Sequence, residues 1–261
     1  MTSFIGRVGG KHFESIRIVN LFPQTFGDFY EPFLGAGHVF FRTYKLYGEG
    51  HSYILSDTDE HLVLLWTALQ KTPELYVDEF VHLCNTHSKS RYYLRLERYE
   101  DTLDPALFWY LSRATYSSKP PLHHRVPVSD RSREVGNLIY MSRGSSVVRQ
   151  VCALSSMSEV YVSCCDYEQS VSTASAGDVV FLDPPYSGAS ITYGLPCAFN
   201  QERLANCATS LADRGVHVYV TNYLTDETKF LYDEFNVMHL VDSQGYRLKR
   251  RPVPEVVFHN Q

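Results

Sequence analysis

Asp178-Val179-Val180-Phe181-Leu182-Asp183-Pro184-Pro185-Tyr186 is an apolar run closed by an acid, two prolines and an aromatic residue. Its first five residues read as a buried strand. The last four form the turn at that strand's carboxyl end. Two prolines stiffen the turn and leave two peptide nitrogens without hydrogens. Carbonyl oxygens are then presented outward, beside a carboxylate and a ring. Chance produces this word in only on the order of one chain in several hundred of this length. The competing reading is a rigid proline turn without chemistry.

The set suits the activation of an aryl amine, whose lone pair is delocalised into its ring. Asp183 and the Pro184 carbonyl can hold the two N–H groups, aiming the nitrogen at a methyl donor. Tyr186 can stack on a base that has left its helix. Positioning then supplies much of the rate enhancement of a direct in-line transfer.

Outward from this turn the chain alternates. Strands are expected at Glu159–Ser163, Val216–Val220, Val237–Val241 and Pro254–His259, and helices at Asn200–Asp213 and Asp226–Phe235. Before them, Asp28–Leu34 ends in Gly35-Ala36-Gly37 and runs into a helical pattern over His38–Tyr47. Ser52–Ser56 reads as a strand ended by Asp57, with Asp59 placed to cap the next helix. Such alternation implies a doubly wound, mostly parallel sheet, with ligands beyond the carboxyl ends of its strands. Asp57 sits where a ribose is often held, and helix capping is its alternative role. Asp166-Tyr167 follows the Glu159–Ser163 strand, where an acid could take an adenine amino group while the ring packs on the base. An N-cap is the plainer reading of Asp166.

The middle differs. Helical segments are expected at Pro73–Cys84, Arg91–Asp101 and Asp104–Tyr116, followed by a basic, Pro- and Ser-containing stretch from Ser117 to Ser146. Residues 105–150 carry seven Lys or Arg against two acids, in a chain whose net charge is −5. A basic insert inside an acidic protein is a candidate phosphate-facing surface. The expected division is a catalytic α/β domain of 1–68 and 157–261, and a mostly helical recognition domain of 69–156.

The 44% apolar content is that of a folded chain. No apolar run reaches the roughly 18–20 residues of a bilayer span, and Met1–Lys11 has no signal core. Cytoplasmic or nuclear residence, without secretion or membrane contact, is the expectation. The six cysteines show no C-x-x-C spacing, and the adjacent pair His123-His124 lacks metal-site spacing, so no metal is expected.

Taken together the motifs resemble the DNA adenine methyltransferases of the α arrangement, which include the bacterial and phage Dam enzymes. The matching words are Gly9-Gly10-Lys11, Glu31-Pro32-Phe33-Leu34-Gly35-Ala36-Gly37, Asp57, Asp166-Tyr167, Asp183-Pro184-Pro185-Tyr186, Thr221-Asn222 and Arg250-Arg251-x-x-x-Glu255. Roughly 145 residues separate Gly37 from Asp183, room for a target-recognition insert. The resemblance implies a Rossmann-like S-adenosylmethionine-dependent methyltransferase fold. It places Lys11 on the cofactor's carboxylate, with Arg7 nearby, and Phe33, Gly35 and Gly37 along its methionine portion. Asp57 would take its ribose, Asp166 and Tyr167 its adenine, and Asp183 would adjoin both cofactor and target. The partner implied is duplex DNA, bound by a monomer or weak dimer, and the coproduct S-adenosylhomocysteine.

Two positions depart from the family. Arg7 stands where relatives often have an aromatic residue. In the recognition hairpin, Arg113 and Tyr116 are kept, but Pro121 falls where a guanine-reading arginine is expected. Arg113 is then a candidate phosphate contact, Tyr116 a wedge, and Lys119 or Arg125 the substitute base reader, with Arg131 and Arg133 adding charge. Arg247, Lys249, Arg250 and Arg251 form a second basic cluster. The GATC specificity of close relatives therefore does not transfer. Two alternatives remain open: the same amine chemistry on cytosine, RNA or protein glutamine, or a non-catalytic DNA-binding module.

Overall fold

The computed structural model describes residues 4–5, 10–115, 127–128, 141–186, 199–240 and 253–261. These divide into two compact units, one of 1–12, 35–38 and 59–158, the other of 13–34, 39–58 and 159–261.

The second unit carries the sheet. Its helices are α1 (Ser15–Val19) and most of α2 (His38–Tyr47). The strands are β1 (Phe29–Glu31), β2 (Tyr53–Asp57), β3 (Val160–Cys164), β4 (Val179–Leu182), β5 (His217–Tyr223), β6 (Asn236–His239) and β7 (Glu255–His259). Their order is β3-β2-β1-β4-β5-β7-β6. β1 to β5 pair in parallel, whereas β7 runs antiparallel to both β5 and β6. This is the expected doubly wound, mostly parallel sheet. Strand order reverses between β1 and β4, the place where such sheets bind ligands.

Successive residues of β4 point to opposite faces and all four are buried. Val180 and Leu182 join Leu204, Ala205, Ala208 and Leu211 on one side. On the other, Phe22 packs on Tyr219 at 4.7 Å and Phe40 on Tyr53 at 5.6 Å. Each fully buried side chain of this kind contributes about 1.5–3 kcal/mol. The amino ends of the strands are tied by two carboxylates. Asp178, 6% exposed, accepts from the Asp28 amide at 2.8 Å and from the Ser175 amide at 2.8 Å. Asp28 in turn accepts from the Ser52 amide at 2.8 Å. A Cβ on Gly27 would lie 2.2 Å from Asp178 Oδ1, so any larger residue there must displace that carboxylate.

Two boundaries that differ from the sequence reading have a clear cause. β5 extends to Tyr223 because β7 pairs Tyr223 with Glu255. The helix after it, α10 below, ends at Leu231, not Phe235, because Tyr232 and Phe235 turn into the core. The remaining helices here are α8 (Tyr167–Ser170), α9 (Gln201–Asp213) and α10 (Asp226–Leu231), the last two capped by Asn200 and Thr225.

The first unit is helical: α3 (Glu60–Lys71), α4 (Pro73–Asn85), α5 (Lys89–Thr102), α6 (Pro105–Ala114) and α7 (Ser146–Ser155). Asp59 caps α3 as expected, accepting from the amides of His61 and Leu62. α3 packs against α6 and α7, so it belongs with the helices, although the sequence boundary at 68/69 left it with the sheet. Trp109 stacks on Phe80 at 3.6 Å at the centre of this unit. α7 lies where the sequence predicts no particular element; its Val147, Val148, Val151 and Leu154 are a buried helical stripe. Among the described residues no helix is long and apolar enough to cross a membrane.

Candidate active site

Asp183 leaves the sheet at the carboxyl end of β4, beside β5. The register pairs Leu182 with Val220, so Thr221 comes level with Asp183. The Thr221 hydroxyl lies 2.5 Å from Asp183 Oδ1 and 3.3 Å from the Leu182 carbonyl. With one proton to give, it serves the nearer carboxylate. Pro185 is held from another side: its carbonyl accepts from Gln201 Nε2 at 2.8 Å, and Gln201 Oε1 accepts from Asn222 Nδ2 at 2.9 Å. Gln201 and Asn222 are buried, which makes this chain of amides stiff.

The Tyr186 hydroxyl has two carboxylates within reach, Glu255 Oε1 at 2.6 Å and Asp183 Oδ1 at 3.3 Å. Its ring meets Tyr223 edge-on, with centroids 4.9 Å apart. Burial of the hydroxyl, then the charges of Asp183 and Glu255, raise its pKa well above the ordinary tyrosine value. The phenol therefore stays protonated and acts as a donor, while its ring remains partly exposed.

Further along the carboxyl edge, Asp57 ends β2 opposite Cys164. Phe33, partly exposed, stacks on Tyr167 at 5.3 Å and meets Phe199 edge-on at 5.8 Å. Asp166 caps α8 through the Glu168 amide at 3.0 Å. Both its oxygens also accept from Arg203, at 2.7 and 3.1 Å, and Arg203 reaches Glu168 at 2.6 Å. An adenine amino group must therefore share Asp166 with Arg203 or displace it. Tyr167 also departs from expectation. It is 4% exposed, with Phe33 stacked on its ring and the Arg203 guanidinium 4.8 Å above it. Its ring is a core element, and Phe33 is the aromatic left to face a ligand.

The family described as D12 class N6 adenine-specific DNA methyltransferase matches residues 8–244. The chain belongs to that family. The Type II methyltransferase M1.LlaDCHI of Lactococcus lactis subsp. cremoris is 25% identical, over 88% of this chain and 84% of its own. The DNA adenine methylase of Serratia marcescens is 27% identical, over 77% and 76% of the two chains. That of Vibrio cholerae is 24% identical, over 88% and 84%.

Lys11, the glycine turn and Arg113, the next candidates of this D12-class chain, lie in the helical unit. Lys11 is buried, at 6% exposed. Gly35 and Gly37 adopt φ of 46° and 63°, left-handed conformations that favour glycine, and the Gly35 carbonyl accepts from Trp66 Nε1 at 3.3 Å. The Arg113 guanidinium donates to the Phe4 carbonyl at 3.2 Å, and burial lowers its pKa. A phosphate would have to share it with that carbonyl. Arg7, Gly9, Tyr116, Lys119, Arg125, Arg131, Arg133 and the cluster at 247–251 lie outside the described residues. Among the described residues no group of three His, Cys, Asp or Glu is placed to hold a metal ion.

His38, which opens α2, has its pKa lowered to about 4 by burial and then by neighbouring His12, 5.4 Å away. The folded chain refuses a proton that the unfolded chain accepts below the free value of 6.5. Stability is thus expected to fall as pH drops from about 6.5 toward 4, by about 1–2 kcal/mol at pH 5. His38→Gln should flatten that portion of the pH dependence of the urea midpoint. An unchanged profile removes His38 as its source.

Sequence reading missed Gln201, Arg203 and the role of Glu255. Arg203 meets Asp166 across a separation of 37 residues, and no local pattern announces such a pairing.

Proposed function

We propose that the chain methylates the exocyclic amino group of adenine in duplex DNA, with S-adenosylmethionine as donor and Asp183 to Tyr186 as the reacting centre. The observation that carries this is Asp183-Pro184-Pro185-Tyr186 at the carboxyl end of β4, beside the reversal of strand order, in a chain of the D12 class.

The donor set fits the cofactor's nucleoside in part. Asp57 at the end of β2 offers acceptors for ribose hydroxyls, and Phe33 offers a ring face for a base. Asp166 contributes only where Arg203 yields. Lys11, Gly35 and Gly37 are assigned the cofactor's methionine end by their motifs alone. The cofactor, when bound, supplies an electrophilic methyl group on a positively charged sulfur.

The residues of the chain then act on the target. The flipped adenine stacks on Tyr186, repaying part of its unstacking cost. The Asp183 carboxylate and Pro184 carbonyl accept the two N–H bonds and turn the nitrogen lone pair toward the methyl group. Methylation would make the amine shed one proton, which Asp183 is placed to take and pass to water. Thr221 keeps the carboxylate from rotating during this exchange. The basic insert is proposed to hold the duplex through its phosphates.

Incubation with radiolabelled S-adenosylmethionine and unmethylated duplex DNA, then nucleoside analysis and mapping of modified positions, tests this directly. Label in N6-methyladenine is expected. Label only in methylcytosine, or only in RNA offered in parallel, overturns it.

A further inference from the structure

The Tyr186 hydroxyl has one proton and two carboxylate acceptors, and which acceptor holds it matters to the chemistry. At 2.6 Å the Glu255 oxygen takes it, while Asp183 Oδ1 stands second at 3.3 Å. Glu255 is well built for this. It begins β7, which runs antiparallel to β5 and β6, and lies in register opposite Tyr223, whose ring packs on the edge of Tyr186. One cross-strand pair thus grips Tyr186 at both its hydroxyl and its ring.

We propose that Glu255 is a positioning residue for methyl transfer: it fixes the plane of the Tyr186 ring and keeps the Tyr186 proton off the Asp183 carboxylate. Two torsions set a tyrosine ring, and an anchored hydroxyl at its far end restrains both. Without that anchor the other carboxylate within reach is Asp183. A proton donated there stabilises the carboxylate's negative charge and weakens it as an acceptor for the amine. The same loss would also tilt the stacking surface. Two faults follow from one missing carboxylate, and only one of them needs the Tyr186 hydroxyl.

That asymmetry makes the idea testable by a double-mutant cycle. Glu255→Ala is expected to lower kcat about 100-fold, the scale of a misplacement near 1 Å. Binding of S-adenosylhomocysteine, measured by calorimetry, should stay within about twofold. Tyr186→Phe should cost about 10-fold, since the ring persists without its anchor. The double variant should be no slower than Tyr186→Phe with Glu255 intact, and faster than Glu255→Ala alone, because no phenolic proton is left to burden Asp183. Glu255→Gln, which keeps reach and an acceptor oxygen, should retain most activity, whereas Glu255→Asp, one methylene short, should not.

Multiplicative losses in the double variant overturn the proposal, as does wild-type turnover in Glu255→Ala. If Glu255→Ala fails to fold, the contrast between the Gln and Asp variants decides, and equal activity in those two overturns it. The proposal rests on Asp183 to Tyr186 being the reacting centre. Turnover retained in Asp183→Ala removes that reading, whereas an inactive Asp183→Ala with multiplicative losses at Tyr186 and Glu255 removes only this one.

Discussion

Asp183→Ala is expected to lower the rate of methyl transfer by about 10²–10³-fold or more, the usual cost of deleting one preorganised polar partner of a transition state. The carboxylate is held by Thr221 at 2.5 Å before any substrate arrives, so no reorganisation is needed at the moment of reaction. Its loss removes an acceptor for the amine and the first station for the departing proton. Duplex binding and S-adenosylhomocysteine affinity should change by only a few-fold, because stacking on Tyr186 and the Pro185–Gln201–Asn222 chain do not depend on Asp183. Asp183→Asn, which keeps one acceptor oxygen, should fall between. Single-turnover kinetics separate chemistry from binding. Near-normal single-turnover rates in Asp183→Ala would refute the assigned role.

The second large effect concerns stability. Asp178→Ala is expected to cost about 3 kcal/mol, because it removes two hydrogen bonds to a charged group, from the amides of half-buried Asp28 and of Ser175. At about 2–4 °C per kcal/mol for a chain of this size, the melting temperature should fall by roughly 6–12 °C. Gly27→Ala attacks the same knot from outside, since its methyl carbon would sit 2.2 Å from Asp178 Oδ1. The carboxylate must then swing away, abandoning the Asp28 amide. Combining the two should cost less than their sum, as both break one contact. Calorimetric melting checks this. A loss under about 1 kcal/mol from Asp178→Ala would mean that water replaces the carboxylate at little cost.

Strand–helix alternation, the caps at Asp59 and Asp166 and the turn after β4 were legible because each depends on near neighbours. α7 was not. Its valine-rich stripe follows a basic, serine-rich stretch whose composition outweighed the 3.6-residue period of its own apolar positions. The site divides the same way. Asp183 and the glycine turn announce themselves as words, but strand order cannot be read from any local stretch. Only the antiparallel return of β7 puts Glu255 beside Tyr186, 69 residues earlier in the chain. Arg203 shows the converse limit: the motif picked out Asp166 correctly as an acid at a strand end, and missed the cation that already occupies it.

The pairing of β2 with β3 has a consequence for how the chain reaches its fold. Asp57 lies in register with Cys164, and everything from Asp59 to Ser158 belongs to the helical unit. Zipping those strands from a fully unfolded chain means closing a loop of about one hundred residues, whose entropic cost grows as (3/2)RT ln n. Helices form in about a microsecond and their packing draws on mostly local contacts. A helical unit that collapses first replaces a long flexible loop with a short effective one, at a saving of about 0.6 kcal/mol for each halving. The insert that is proposed to read DNA thus also sets the order of assembly, because the outer strand docks most cheaply once those helices are in place.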